Sequence, residues 1–187
     1  MASGSRYRRE LLERLGLPFR TWSPDVDERA LPGEVPRATA IRLARVKAEA
    51  GRAAHPAAWI IGSDQVADLD GAPICKPGHR DAAREQLRRM RGRTVHFHAA
   101  LALLDPAGGK AREALVTTDV DFRALSDAEI ERYLDREPAF DCAGSAKSEA
   151  LGISLLSRLS GNDPTALVGL PLIELSRMLR DAGFEVP

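Results

Sequence analysis

The sequence predicts an α/β protein with a mixed sheet flanked by helices. Three observations carry this reading. Runs with apolar residues at three- and four-residue spacing alternate with short, continuous apolar runs, the patterns of amphipathic helices and buried strands. Glycine turns, Asp70-Gly71 and Gly108-Gly109, join pairs of strand-like runs as hairpins. Helices separate the other strands, so hairpin and crossover connections occur in one chain. At 187 residues the chain is long enough for one sizeable core. Residues 1–187 read as one domain, with or without two lobes around a central cleft.

The elements follow in order. A first helix is expected from Arg6 to Arg14, with Ser5 as N-cap, Leu11, Leu12 and Leu15 on its buried face and Gly16 as its stop. Phe19 to Ser23 is a short strand candidate, and Pro24 to Glu28 an acid-rich loop. A second helix spans Pro36 to Ala50, with Ile41, Ala44 and Ala48 on one face and Gly51 at its end. The run Ala57 to Gly62 reads as a buried strand that ends at Ser63-Asp64-Gln65 and leads into the Asp70-Gly71 hairpin. Asp81 to Arg91 is a helix ended by Gly92. Thr94 to Leu104 and Ala111 to Phe122 are two long strands. Ser126 and Glu129 form a capping box opening a helix through Tyr133. Gly152 to Leu159 is a strand candidate, and Pro171 to Ala182 the last helix.

Composition narrows the function. Lys plus Arg equals Asp plus Glu at 27 each, which speaks against duplex nucleic acid or an anionic membrane as the main partner. No apolar run approaches the ~20 residues needed to span a bilayer, and the N-terminus has no apolar h-region. Cys75 and Cys142 have neither metal spacing nor the pattern of a disulfide framework. A reducing, cytoplasmic compartment is therefore expected.

Four groups of residues could carry chemistry. In Ala2 to Arg9, hydroxyls lead into a helix start where free N–H groups and the dipole attract anions. Arginines in that first turn oppose the dipole; a bound anion and a capped surface helix with solvated arginines both fit. Asp27, Glu28 and Asp64 form an acid group able to share a divalent cation with substrate phosphates, or to stand as solvated loop acids. Lys47, Lys76 and Lys147 could neutralise phosphate charge, or lie on the surface. The segment Cys142 to Gly152, small and glycine-bearing, suggests a loop in close approach to a ligand. His96 and His98 share a strand face, while His55 and His79 are isolated; satisfied or solvated histidines are the simpler reading.

In family order, these pieces resemble the Maf family of nucleoside triphosphate pyrophosphatases. The matching pieces are Ala2-Ser3-x-Ser5 with Arg8 to Leu12, Val26-Asp27-Glu28, Lys47-Ala48, Gly62-Ser63-Asp64 with Lys76-Pro77, Ala143-Gly144, and Val168 to Leu172. They extend over almost the whole chain. Three positions are similar to the branch acting on 7-methyl-GTP (YceF-type enzymes). Tyr7 supplies an aromatic where the dTTP/UTP branch has arginine. Gln65 stands where that branch has threonine, and Glu149 where it has glutamine. Arg6 departs from the family's proline after the serine, a small loss at a first helical position. The family also places apolar residues ahead of the Ala-Ser pair as a first strand; here the pair follows Met1, so either the start codon is called late or the strand is truncated.

The resemblance implies a twisted sheet like that of inosine triphosphate pyrophosphatases, with a nucleotide cleft, and hydrolysis of 7-methyl-GTP to the monophosphate and pyrophosphate. It implies Asp64 as general base or metal ligand, Glu28 with Asp64 on Mg²⁺ or Mn²⁺, and Ser3, Ser5, Arg8, Arg9, Lys47 and Lys76 on the phosphates. Tyr7, Gln65 and Glu149 would select the base: methylation at N7 makes guanine cationic, so an aromatic face gains a cation–π component and a glutamate adds charge complementarity. A homodimer fits the family. The alternatives are the same chemistry on dTTP, UTP or another nucleotide, and a non-catalytic nucleotide-binding regulator of cell division.

Overall fold

The structure, a computed structural model, describes residues 1–109 and 111–187. Ten principal elements follow one another: α1 (Arg6–Glu13), α2 (Pro36–Ala54), β1 (Ile60–Leu69), β2 (Ala72–Ile74), α3 (Arg80–Met90), β3 (Thr94–Leu104), β4 (Arg112–Phe122), α4 (Asp127–Arg136), β5 (Leu156–Ser160) and α5 (Leu172–Asp181). The strands form one sheet in the order β2-β1-β3-β4-β5. Each neighbouring pair in that ladder is antiparallel. Among the described residues, parallel pairing enters only where Ala2 bridges Gly62 on one side and Trp22 on the other.

Helices cover both faces. On one face α2 lays Ala40, Ala44 and Ala48 against Ile60, Ala100, Ala102 and Leu104. The opposite face carries two separate cores. Leu11 and Leu12 of α1 and Leu175, Met178 and Leu179 of α5 pack with Ile61, Leu101 and Leu103. Farther along, Leu87 and Met90 of α3 and Ile130 and Leu134 of α4 pack with Ala67, Val95 and Phe97. Period-two alternation in β1 sends Ile61 to one face and Ile60 to the other.

Several expectations meet their structural answer here. Ser5 caps α1, its hydroxyl accepting from Arg8 N at 3.4 Å, and the Ser126/Glu129 capping box is fully formed. The Asp70-Gly71 turn pairs β1 with β2. Helix α2, however, runs past Gly51 to Ala54. That glycine is there for contact: a Cβ on it would lie 2.8 Å from Ile60 Cγ2 and 3.1 Å from Ala2 Cβ. Of Phe19 to Ser23, only Trp22 makes a strand-like bridge. Residues Leu151–Leu155 form a 3₁₀ turn before the short β5.

The largest correction concerns β1. It begins at Ile60 and continues to Leu69, so Asp64 stands in the middle of a strand and not at its end. A polar run survives in a buried strand only if its groups find partners, and all three do. Ser63 donates to Gly169 O at 3.2 Å, Lys47 reaches Asp64 at 2.6 Å, and Gln65 donates to Ala166 O at 2.8 Å.

Gly62 sets how closely α2 meets β1. A Cβ there would strike the Ala44 carbonyl and come within 2.8 Å of Ala48 N and Cβ. Gly62→Ala is therefore expected to destabilise the protein by about 3 kcal/mol, the upper end of the overpacking range. Urea unfolding measures this as a lowered midpoint, and an unchanged midpoint would contradict the packing described.

Candidate active site

The outer edge of β1 is interrupted. Ala2 pairs with Gly62, and β2 resumes the pairing at Ala67. Between them, on that outer edge, residues 63–66 have no strand beside them among the described residues; their other edge pairs with β3. A cleft of about 840 Å³ opens at this gap, within the range of small-ligand sites. Ser3, Ser5, Arg8, Glu28, Lys47, Asp64, Gln65 and Lys76 all line it, so eight of the residues singled out in the sequence converge there.

Lys47 is its centre. Projecting from α2, it is buried, and its Nζ lies 2.6 Å from Asp64 Oδ1 and 2.7 Å from Glu28 Oε1. Asp64 is equally enclosed, whereas Glu28 is more than half exposed on its loop. Burial pushes the Glu28 carboxyl up, but the bond from Lys47, its charge, and those of Lys76 and Arg8 outweigh this and hold it below its ordinary value. Two carboxylates from different elements thus meet on one ammonium.

Arg8 forms the opposite wall. Its Nε donates to Gly169 O at 2.9 Å, and its Nη1 lies 3.4 Å from Ser3 Oγ. Burial pulls the guanidinium pKa down, and Asp64 and Glu28 pull it back. Ser3 Oγ accepts from Ser5 N and Ser5 Oγ from Arg8 N, so both hydroxyl protons remain available to an incoming oxygen anion.

The loop 165–169, on which the sequence reading placed only a family motif, ties the cleft together. Gln65 Nε2 donates to Ala166 O and Leu167 O, while Ser63 and Arg8 both donate to Gly169 O. Asp163 holds this loop. Its Oδ1 accepts from Thr165 N (3.0 Å) and Oγ1 (2.6 Å), and its Oδ2 from Ile173 N (2.7 Å) at the start of α5. A lone Asp-x-Thr just before the last helix was the available sequence signal.

Other expected residues lie elsewhere. Arg9 is exposed and pairs with Glu13 at 3.1 Å. Asp27 accepts from Arg29 and is held at about 2 by that bond. Tyr7 and Glu149 are outside the cleft lining. Tyr7 donates to Asp141 at 3.0 Å, and Glu149 is exposed. His96 lies 2.6 Å from Asp119, and His98 lies between Thr117 and Asp68.

The donor set fits a divalent cation bound together with phosphate. Magnesium takes one or two carboxylates and leaves its other positions to phosphate and water, and Glu28 and Asp64 are two carboxylates already drawn to one cationic centre. A second cavity of about 770 Å³, lined by Phe19, Trp22, Trp59 and Phe184, lacks such converging charges.

Fold and cleft define an α/β protein whose cation-lined pocket suits a phosphorylated small molecule. The chain belongs to the Maf family: the family model described as "Maf-like protein" matches residues 1–182. A protein named 7-methyl-GTP pyrophosphatase from Xanthomonas campestris pv. campestris (strain 8004) is 58% identical over 187 residues, covering 100% of this chain and 97% of its own. One of the same name from Aromatoleum aromaticum (strain DSM 19018 / LMG 30748 / EbN1) is 60% identical over 100% of this chain and 96% of its own. A third, from Cupriavidus pinatubonensis (strain JMP 134 / LMG 1197), is 59% identical over 98% and 92%. The solved structure titled nucleoside-triphosphatase / dITP/XTP pyrophosphatase from Mycobacterium abscessus ATCC 19977 / DSM 44196 covers 95% of this chain and 91% of its own at TM-score 0.49 and 15% identity.

Asp163→Ala removes a buried carboxylate and leaves several amides unsatisfied, at an expected cost of about 2–3 kcal/mol. Hydrogen exchange at residues 166–169 is expected to accelerate. Ser126→Ala, a cap distant from the cleft, is expected to cost about 1 kcal/mol and to leave exchange in that loop unaltered.

Proposed function

We propose that this protein is a nucleoside triphosphate pyrophosphatase that hydrolyses 7-methyl-GTP to 7-methyl-GMP and pyrophosphate, clearing modified nucleotides. The contact of Lys47 with both Asp64 and Glu28, beside the gap along the outer edge of β1, carries this reading. The names of the full-length relatives support the base.

Water attacks the α-phosphorus, the bond to the bridging oxygen breaks, and pyrophosphate leaves. In this reading Asp64 accepts the water's proton or helps to hold the cation. Its place in the middle of a strand, with Lys47 fixed against it, gives the carboxylate one orientation. Arg8, Lys47 and Lys76 neutralise the phosphates, with Arg9 reaching them only by leaving Glu13. Ser3 and Ser5 donate their free hydroxyl protons. Most phosphoryl-transfer catalysis arises from such positioned charge. Glu28 and Asp64 would hold Mg²⁺ or Mn²⁺, which when bound supplies positive charge at the phosphate oxygens.

In this reading the base end of the cleft is the one with Ser5 and Ala143. Selection falls to Tyr7, next in sequence to the cleft residue Arg8, and to Glu149 on the segment after Ala143, while Gln65, tied to the 165–169 loop, shapes the wall beside Asp64. The proposal includes one domain, a cytoplasmic setting, a homodimer, and free nucleotides rather than nucleic acid or a membrane as partners. Balanced charge supports the choice of partners. Among the described residues no helix is long and apolar enough to cross a membrane.

Asp64→Asn is expected to lower pyrophosphate release by about 10²–10⁴-fold. Lys47 keeps Glu28 and the amide oxygen as partners, so the stability cost is about 2 kcal/mol, below that of a fully broken buried pair. The assay runs 7-methyl-GTP, GTP, dTTP and UTP side by side, and near-wild-type turnover in the variant would remove Asp64 from the chemistry. Glu149→Gln is expected to narrow the preference for 7-methyl-GTP over GTP; an unchanged ratio removes Glu149 from base selection.

A further inference from the structure

One carboxylate beside the base end of the cleft has no part in the account above. Asp141 lies between α4 and the turn Ala143–Ser145. Its Oδ2 accepts from the Tyr7 hydroxyl at 3.0 Å, and its Oδ1 is paired with Lys147 Nζ at 2.9 Å. Lys147 Nζ lies 5.7 Å from the centroid of the Tyr7 ring, and the Arg6 guanidinium lies 4.9 Å from it. The ring is thus already a cation site, and one of its two cations shares a carboxylate with the ring's own hydroxyl.

The cluster adjoins the cleft on two sides. Tyr7 precedes Arg8, and Asp141 stands two residues before Ala143; both neighbours line the pocket. The loop is anchored. Gly144, at φ 77°, sits so close to Phe97 that a Cβ would come within 2.9 Å of its Cζ, and the buried Ser145 hydroxyl donates to Gln86 at 2.8 Å. The Lys147 side chain is only 18% exposed. Burial pushes Lys147 down, and Tyr7 and Asp141 more than reverse this. Burial likewise pushes Asp141 up, and Lys147 and Tyr7 bring it below its ordinary value. Both groups are therefore charged at neutral pH.

We propose that Asp141 is a specificity-determining residue for the cationic base, and that Lys147 is a resident cation which the methylated guanine replaces on Tyr7. The inference rests on the 7-methyl-GTP reading and deepens it. With Arg6 and Lys147 already at the ring, the methylated base takes the place of Lys147 and does not add a third charge. A base carrying +1 takes over both the aromatic face and the counter-ion as Lys147 swings out. Neutral guanine displacing Lys147 would break its ion pair with Asp141, a half-exposed carboxylate that also feels Arg6, and put no positive charge in its place; the cationic base restores that charge, and the difference selects it. Glu149, exposed on the same segment, lies near enough to act on Cys142 electrostatically and adds to the negative field.

The test is steady-state kinetics with 7-methyl-GTP and GTP on wild type, Asp141→Asn and Lys147→Met. The wild type comes first: without a preference for 7-methyl-GTP, the substrate reading itself fails, whatever the variants do. Given that preference, Asp141→Asn is expected to lower kcat/KM for 7-methyl-GTP at least tenfold more than for GTP. An unchanged ratio overturns the proposal. Lys147→Met is expected to lower KM for 7-methyl-GTP several-fold, because the competing cation is gone. A KM that is unchanged or raised assigns Lys147 to holding substrate or structure and overturns the exchange. Tyr7→Phe keeps the ring and drops the bond to Asp141, so it covers the case in which Asp141→Asn does not fold. It is expected to narrow the ratio, and an unchanged ratio counts against Asp141.

Discussion

The close approach of α2 to β1 is the contact on which the rest depends. Gly62 has no side chain, so the backbone at Ala44 can press against the strand. Only at that distance can Lys47, one turn of helix away, stay buried and still reach Asp64 two residues along the same strand face. Widening the gap would leave a buried ammonium and a buried carboxylate apart, each facing a large desolvation cost. The packing of small residues and the placement of charge are one device. The alanines of α2 exist to bring the lysine close, and the lysine's pairing makes its burial tolerable.

Opposite charge in the cleft is arranged for competition. Lys47 and Arg8 are held by partners in the free protein, Lys47 by carboxylates and Arg8 by a carbonyl and a serine oxygen. Their side chains are ordered before any ligand arrives, so little entropy is lost when a phosphate takes over those contacts. The gap at residues 63–66 supplies the opening, because there the edge of the sheet faces a pocket and not another strand.

Local signals were legible in the sequence. Ser5, the capping box at Ser126 and the Asp70-Gly71 turn act within a few residues of themselves, and each stands where the pattern placed it. Segments governed by distant partners were misread. The sequence pattern ends the strand at Ser63-Asp64-Gln65 because nothing nearby satisfies those polar groups; the groups that do include Gly169 and Ala166, more than a hundred residues on. Gly51 looked like a helix stop because its neighbours Ile60 and Ala2 cannot be inferred from its own surroundings. Asp141 was hidden for the same reason, its partner Tyr7 lying at the far end of the chain. Most of the candidate site was found through ordered motifs, whereas the loop that braces it had no comparable signature in local chemistry.

The mid-strand position of Asp64 also bears on how this protein can change over time. Side chains alternate across a sheet, so a shift of β1 by a single residue would turn Asp64 toward α1 and α5 and present Ser63 or Gln65 to Lys47. Insertions in the 105–109 loop leave that phase untouched, whereas one residue gained or lost between Ile60 and Asp64 reverses it. Length variation is thus open to the lineage in that loop and closed along β1 as far as Asp64.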